Sequence, residues 1–373
     1  MYYYIKWGDS VKEIERETEL KTEEREKYDR LVGHTPFCFF KDFSSKVIVF
    51  DYYEKYAIDL VNGICDALGK NCAFEFSYLL SPEINAGCRL DEQKNRLYVL
   101  EGTLFKIYDC ASLLACIYQT IDMRNQGSNV KVNKIEMQVY TETQSPFTIS
   151  DIRISESIDE NIITDYIAML ATKIVIAHEI GHILNGHLSY RKKNGEKAIS
   201  FSMANICDSC QNCVELQAME IDADEFAACQ IISILEDELL ADMKLREIVR
   251  NESQIYRIVG CAIQCVFFLI GVKNDFWEVD EPQNYSHPPA LTRLNLFLET
   301  CRGLLNDDGK WGQIVQGVII AHRNFCDHYK VKFIQREQFV LDIMGKNEYG
   351  EVVVNHWREL KEHLMPFSIL PFT

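Results

Sequence analysis

The chain has 373 residues, 47% hydrophobic and 25% charged, the balance of a soluble globular protein with one large domain or two modest ones. Its net charge of −17 excludes a phosphate-binding face, which needs clustered Lys and Arg, so no nucleic-acid partner is expected. The 14 cysteines are scattered, and MYYYIKWGDS shows no charged start followed by an apolar stretch. A cytoplasmic protein with mostly buried, unbridged thiols is expected.

In chain order, KEIERETELKTEEREKYDR (12–30) is charged throughout and reads as a solvated helix. VIVFDYY (47–53) reads as a short strand, and YAIDLVNGICDALG (56–69) as a helix ending at Gly69. RLYVL (96–100) predicts a further strand, followed by a helix over GTLFKIYDCASLLACIY. Residues 124–160 are polar and turn-rich, an insertion with one strand candidate, KIEMQVYTE (134–142). The apolar spacing over 160–184 is helical, with Asn185-Gly186 as its stop. Another helix covers 214–235.

IVGCAIQCVFFLIGV (258–272) is fifteen residues long, interrupted by Gln264 and flanked by Arg257 and Lys273. A membrane span needs roughly 18 apolar residues, so a buried core helix is expected and no membrane span. The tail, 303–373, is mixed and carries no readable motif. The expected organisation is an N-terminal region over 1–80, a catalytic domain over 81–302 that carries the insertion, and a C-terminal region over 303–373.

The chemistry concentrates in HEIGHILNGH (178–187). His178 and His182 are four apart on a helix, so at about 100° per residue they share a face and their imidazoles can converge on one ion. Glu179 sits beside that ion, where it can take a proton from water. This is the H-E-x-x-H arrangement, and a third ligand would complete it. The metzincin spacing fails, because the required Gly and His fall on Asn185 and Leu188. His187 faces away in a continuous helix and reaches the pair only if Gly186 ends that helix. In QAMEIDADEFAACQ (217–230), Glu220 and Asp224 share a helix face. Glu220 completes a His₂Glu zinc set with one position open for water. Asp224 is then placed to accept the other ring N–H of a ligating histidine. The alternative for this pair is a solvated acidic face, against which Ala218, Ala223, Ala227 and Ala228 favour close helix packing.

His178-Glu179-x-x-His182 followed by Glu220-x-x-Ala223-Asp224 resembles the gluzincin metallopeptidases, especially the HtpX and CAAX-prenyl-protease group. Ser286-His287-Pro288-Pro289 with Arg293-Leu294 downstream is similar to the His-Pro segment and Arg of those enzymes. Asn85-Ala86 with the strand at 96–100 is similar, more loosely, to their Asn-Ala segment and edge strand. In motif order the chain most resembles the phage-exclusion Lit peptidase family, over about residues 80–300. The resemblance implies an α+β, mostly helical gluzincin-like metallopeptidase with a small sheet. It also implies a Zn²⁺ cofactor, a protein substrate and a role in abortive defence against phage. It places His287 and Arg293 near the active site: His287 as a catalytic hydrogen-bond donor or a helix cap, Arg293 as a donor or as the partner of an acid such as Asp224. A substrate strand is expected to pair with residues 96–100.

CDSCQNC (207–213) spaces Cys207, Cys210 and Cys213 three apart, and three free thiols are expected there. AHRNFCDHY (321–329) carries His322, Cys326 and His328, read as core or surface. The expected function is zinc-dependent endopeptidase; the alternative is a catalytically silent, zinc-bound regulatory or interaction protein of the same fold. An intact Glu179 favours the enzyme, since a structural site has no use for a base.

Overall fold

The computed structural model describes residues 2–7, 10–15, 35–36, 50–80, 84–91, 94–122, 132–140, 146–155, 158–196, 200–202, 213–249, 251–273, 277, 279–329, 336–345 and 347–371. Among these the fold is α+β and mostly helical, as expected.

The strands are β1 (Tyr2–Trp7), β2 (Ser10–Glu15), β3 (Thr35–Pro36), β4 (Phe74–Leu80), β5 (Ala86–Asp91), β6 (Lys94–Leu100), β7 (Val132–Tyr140), β8 (Pro146–Ser155) and β9 (Ser200–Ser202). They form two sheets. One is antiparallel with order β2-β1-β7-β8, and the other is mixed with order β3-β4-β6-β5-β9. Two expectations fail here. Residues 12–15 lie in β2, paired with β1, and not in a solvated helix; the rest of that segment, 16–30, falls outside the described residues. Ladder pairing with the neighbouring strand β1, itself paired with β7, overrides a local preference that is only a weak prior. Residues 96–100 are not an edge either. β6 pairs in parallel with β4 on one side and antiparallel with β5 on the other, so its backbone groups are already used. The strand nearer the functional helices is β5, and β9 pairs along its outer side at Gly87, Cys88 and Arg89.

The helices are α1 (Phe50–Leu68), α2 (Glu101–Asp122), α3 (Ile158–Leu184), α4 (His187–Lys193), α5 (Cys213–Asp237), α6 (Met243–Ile248), α7 (Glu252–Lys273), α8 (Ala290–Leu305), α9 (Asp308–Tyr329), α10 (Arg336–Met344) and α11 (Glu348–Leu364). The strand expected over 47–53 is replaced from Phe50 on by α1, and 47–49 lie outside the described residues. The physical reason is a stripe: Tyr53, Ala57, Val61 and Cys65 recur every fourth residue and are all buried, while Lys55, Asp59 and Gly63 between them are exposed; a strand would put both sets on one face, and a helix separates them.

One hydrophobic cluster runs from Tyr53 in α1 to Leu364 in α11, so these two helices share the core of the middle segment. Helices α3 and α7 carry windows long and apolar enough to cross a membrane, Ile162–Leu184 and Glu252–Val272, but 94% and 89% of those windows are buried inside the protein. α3 and α5 cross with little space between them. A Cβ on Gly181 would lie 3.0 Å from the Ala223 Cα, so glycine on one helix and alanine on the other set the approach. The C-terminal tail closes the end of α3: the Leu184 carbonyl accepts the Ile369 backbone N–H at 2.7 Å and the Ser368 hydroxyl at 3.1 Å.

Candidate metal centre

The α3–α5 crossing brings together the side chains that the motif spacing singled out. His178, His182, Glu220 and Asp224 are all buried. The Nε2 atoms of His178 and His182 are 3.2 Å apart. His178 Nε2 lies 3.3 Å from Glu220 Oε2, and His182 Nε2 lies 3.4 Å from Glu220 Oε1. One ligand atom from each of the three lies within 4.8 Å of the others, the one group of this kind among the described residues.

The rear nitrogens explain why these front atoms are available. His178 Nδ1 is 2.9 Å from Asp224 Oδ1, and His182 Nδ1 is 2.9 Å from His187 Nδ1. With each Nδ1 engaged, the two Nε2 lone pairs face the same small volume as Glu220. The Oε2 atom of Glu220 is buried and makes no hydrogen bond among the described residues, only the contacts to His178 Nε2 and to Arg293 Nη1 at 3.2 Å, which leaves it able to take a cation in front. Two imidazole nitrogens and a carboxylate form a donor set that fits a divalent metal.

The electrostatics agree. Burial raises the Glu220 carboxyl, but His287, His182 and Arg293 outweigh it and hold the group well below the usual range. Asp224 is likewise raised by burial and lowered overall by Arg293. Burial lowers the His178 imidazole, yet Asp224 and Glu220 overcome this and raise it to about 9. A carboxylate field that draws a proton to His178 also favours a cation there. His182, with less carboxylate support, is pushed well below its usual value by burial.

Glu179 is 0% exposed, and burial pushes its carboxyl up to about 7. Among the described residues neither of its oxygens meets a nitrogen or oxygen donor; the Cys88 thiol from β5, a weak donor, lies beside it. Cys88 was missed in the sequence, since nothing local marks a strand cysteine as a neighbour of Glu179 on a helix far downstream.

His287 Nε2 is 3.3 Å from Glu220 Oε1, and its Nδ1 is 2.8 Å from the Ser286 hydroxyl. It does not cap α8, whose N-cap is Pro289 without a side-chain cap bond. The loop that presents it is pinned by Gln217, whose amide donates to the Pro282 and Tyr285 carbonyls at 2.7 Å each. Arg293 is 1% exposed and forks Asp224 through Nε and Nη2, both at 2.8 Å, with Nη1 3.2 Å from Glu220 Oε2. Of its two readings, pairing with Asp224 is the one observed.

His187 is not in the ligand group. Gly186 ends α3 with φ +81°, and α4 starts at His187, so the ring folds back behind His182 and does not face away. Cys213 is disulfide-bonded, so the expectation of three free thiols does not hold, and Cys207 and Cys210 lie outside the described residues. His322 and Cys326 meet at 3.5 Å, but no carboxylate joins them in a metal-type group among the described residues.

The family model of Peptidase U49 matches residues 117–313, more than half of the chain and all of α3, α5, α7 and α8. No curated protein matches the chain, and no solved structure does. The matched family is one of peptidases, so the chemistry is peptide-bond hydrolysis and the substrate a protein or peptide. With its paired histidines and Glu220 inside the matched segment, the chain belongs to the Peptidase U49 family.

Proposed function

We propose that the protein is a zinc-dependent endopeptidase of the gluzincin kind, with zinc held by His178, His182 and Glu220. The observation that carries this reading is the convergence of the three ligand atoms. Zinc binds nitrogen and oxygen at about 2.0–2.1 Å in a tetrahedron, which separates neighbouring ligand atoms by about 3.3–3.4 Å. The separations here are 3.2, 3.3 and 3.4 Å. Three protein ligands leave a fourth position open, as hydrolytic zinc sites do and structural ones do not.

Zinc, when bound, supplies a Lewis acid that polarises the scissile carbonyl and lowers the pKa of water. Glu179 takes the proton of the attacking water and passes it to the leaving amine. Its dry surroundings support this role, since among the described residues no nitrogen or oxygen donor competes for its carboxylate. His287 donates from Nε2 to the oxyanion that forms on the carbonyl, in a loop stiffened by Pro288 and Pro289 and held by Gln217. Arg293 acts through Asp224 and Glu220, fixing both carboxylates against the histidines. The enzyme works in the cytoplasm, and the likeness to the Lit family extends the reading to a host protein cut during phage exclusion.

The test is direct. Purified protein is incubated with cell lysate, with and without a zinc chelator, and new protein termini are sequenced. Defined new termini that vanish with chelator and return with zinc are expected. Termini that persist in chelator contradict zinc dependence, and none at all favours the silent, zinc-bound protein.

A further inference from the structure

Behind His182 lies a chain of polar contacts that hydrolysis itself does not require. His182 Nδ1 is 2.9 Å from His187 Nδ1, and His187 Nε2 is 2.9 Å from Asp222 Oδ2. Asp222 also takes the Asn185 amide at 2.6 Å on Oδ2 and the Trp357 indole N–H at 2.8 Å on Oδ1. His182 and His187 are 0% exposed and Asp222 is 6% exposed. Asp222 points away from Glu220 and Asp224 because two residues along a helix turn a side chain through about 200°. Trp357 sits on α11, beyond the end of the family match at 313.

We propose that His187 is a positioning residue for the metal centre: it fixes the tautomer and angle of His182, and Asp222, held by Trp357, fixes His187. The inference rests on the zinc reading above. A ligating His182 must offer a bare Nε2, so its proton sits on Nδ1. That N–H needs an acceptor, and His187 Nδ1 lies 2.9 Å from it. His187 accepts there only when its own proton is on Nε2, where Asp222 receives it. Each proton in the chain therefore has one place, and all of them turn the His182 lone pair toward Glu220. The reverse arrangement, with His187 donating from Nδ1, would put the His182 proton on Nε2 and close the site.

The backbone is built for this return. Gly186 has φ +81°, and a Cβ there would lie 2.5 Å from the Phe367 carbonyl carbon, so only glycine lets the chain reverse against the C-terminal tail. The two histidines thus have unlike supports. His178 leans on Asp224 within the matched segment, whereas His182 leans on a relay that ends in the C-terminal helix. α11 thereby becomes part of the metal centre although it supplies no ligand.

The experiment uses the full chain, stripped of metal and titrated with zinc against a chelating indicator, with melting curves of each metal-free variant. His187→Ala is expected to weaken zinc by about 10–100-fold while still binding one equivalent at saturation. His187→Asn puts an amide oxygen near the position of Nδ1 and is expected to recover most of that loss, although it cannot reach Asp222 and melts as early as the alanine variant. Recovery of affinity without recovery of stability separates positioning from packing. Wild-type affinity in a folded His187→Ala, or an asparagine variant as weak as alanine, overturns the relay and leaves the zinc reading standing. A site that stays empty at saturating zinc makes His187 a ligand and also overturns it. Should His187→Ala fail to fold, Trp357→Phe reads the far end of the chain: a smaller loss of zinc affinity supports the relay and an unchanged one contradicts it. A wild-type chain that takes up no zinc overturns the zinc reading and the relay with it.

Discussion

His178 and His322 are both 3% exposed, both sit on long helices, α3 and α9, and both helices pack on α7. Their partners differ. His322 has the Gln264 amide 3.2 Å from Nδ1 and the Cys326 sulfur 3.5 Å from Nε2, and its ring stacks on Phe339 at 3.6 Å. Burial then has its way and drives the imidazole down to about 4, neutral at ordinary pH. At His178 burial pushes in the same direction, but Asp224 behind and Glu220 in front reverse it to about 9. Burial alone makes a histidine inert; buried carboxylates on both sides of it make a cation site.

That contrast can be broken by removing carboxylates one at a time. Glu220→Ala should give the largest effect, loss of bound zinc in metal analysis, while His322→Ala keeps the full equivalent. A Glu220→Ala protein that retains zinc would move the third ligand elsewhere. His287→Ala should lower kcat by about 10²-fold or more with zinc content and folding unchanged. If melting temperature falls and kcat survives, His287 serves the fold alone. Asp224→Asn should weaken zinc by roughly 10–100-fold without emptying the site at saturating metal. Unchanged affinity would remove the support assigned to Asp224.

The His322 side of the comparison has its own signature, the smallest of the set. Its folded pKa of about 4 lies below the ordinary value of 6.5, so the unfolded chain binds the proton first. The stability it contributes is fully present above about pH 6.5 and is lost as pH falls toward about 4, roughly 2 kcal/mol by pH 5. Denaturant unfolding of His322→Phe should show a flatter pH dependence across that window and the wild-type zinc content. An equally steep dependence would mean that another group carries the effect.

The two functional helices were legible in the sequence because helical periodicity is local: the spacing of His178 to His182 and of Glu220 to Asp224 puts each pair on one face without knowledge of the rest. Gly181 and Ala223 carried a further, quieter signal, since small residues on both helices let them approach to the point where the two faces meet. What was not legible depends on distant partners. Residues 96–100 form a strand as expected, but whether a strand is central or at an edge is settled by β4 and β5. The fate of His187 turned on Gly186 adopting a positive φ, which the sequence allowed without requiring. Trp357 lies 135 residues from Asp222, and no pattern in an amphipathic C-terminal helix marks one indole as the end of a chain of contacts to a metal ligand. The residues 47–53 misled for another reason: β-branched composition suggested a strand, while the burial of Tyr53, Ala57, Val61 and Cys65 with Lys55, Asp59 and Gly63 exposed between them is a helical pattern.

The central claim, a zinc peptidase with Glu179 as its base, is tested most directly by measuring zinc content and cleavage together on Glu179→Gln. The amide keeps the shape of the side chain and leaves His178, His182 and Glu220 untouched, but it does not accept a proton from water. The account predicts one bound zinc per chain and a loss of cleavage of roughly 10²–10⁴-fold. Cleavage within about threefold of wild type, with zinc in place, would contradict it.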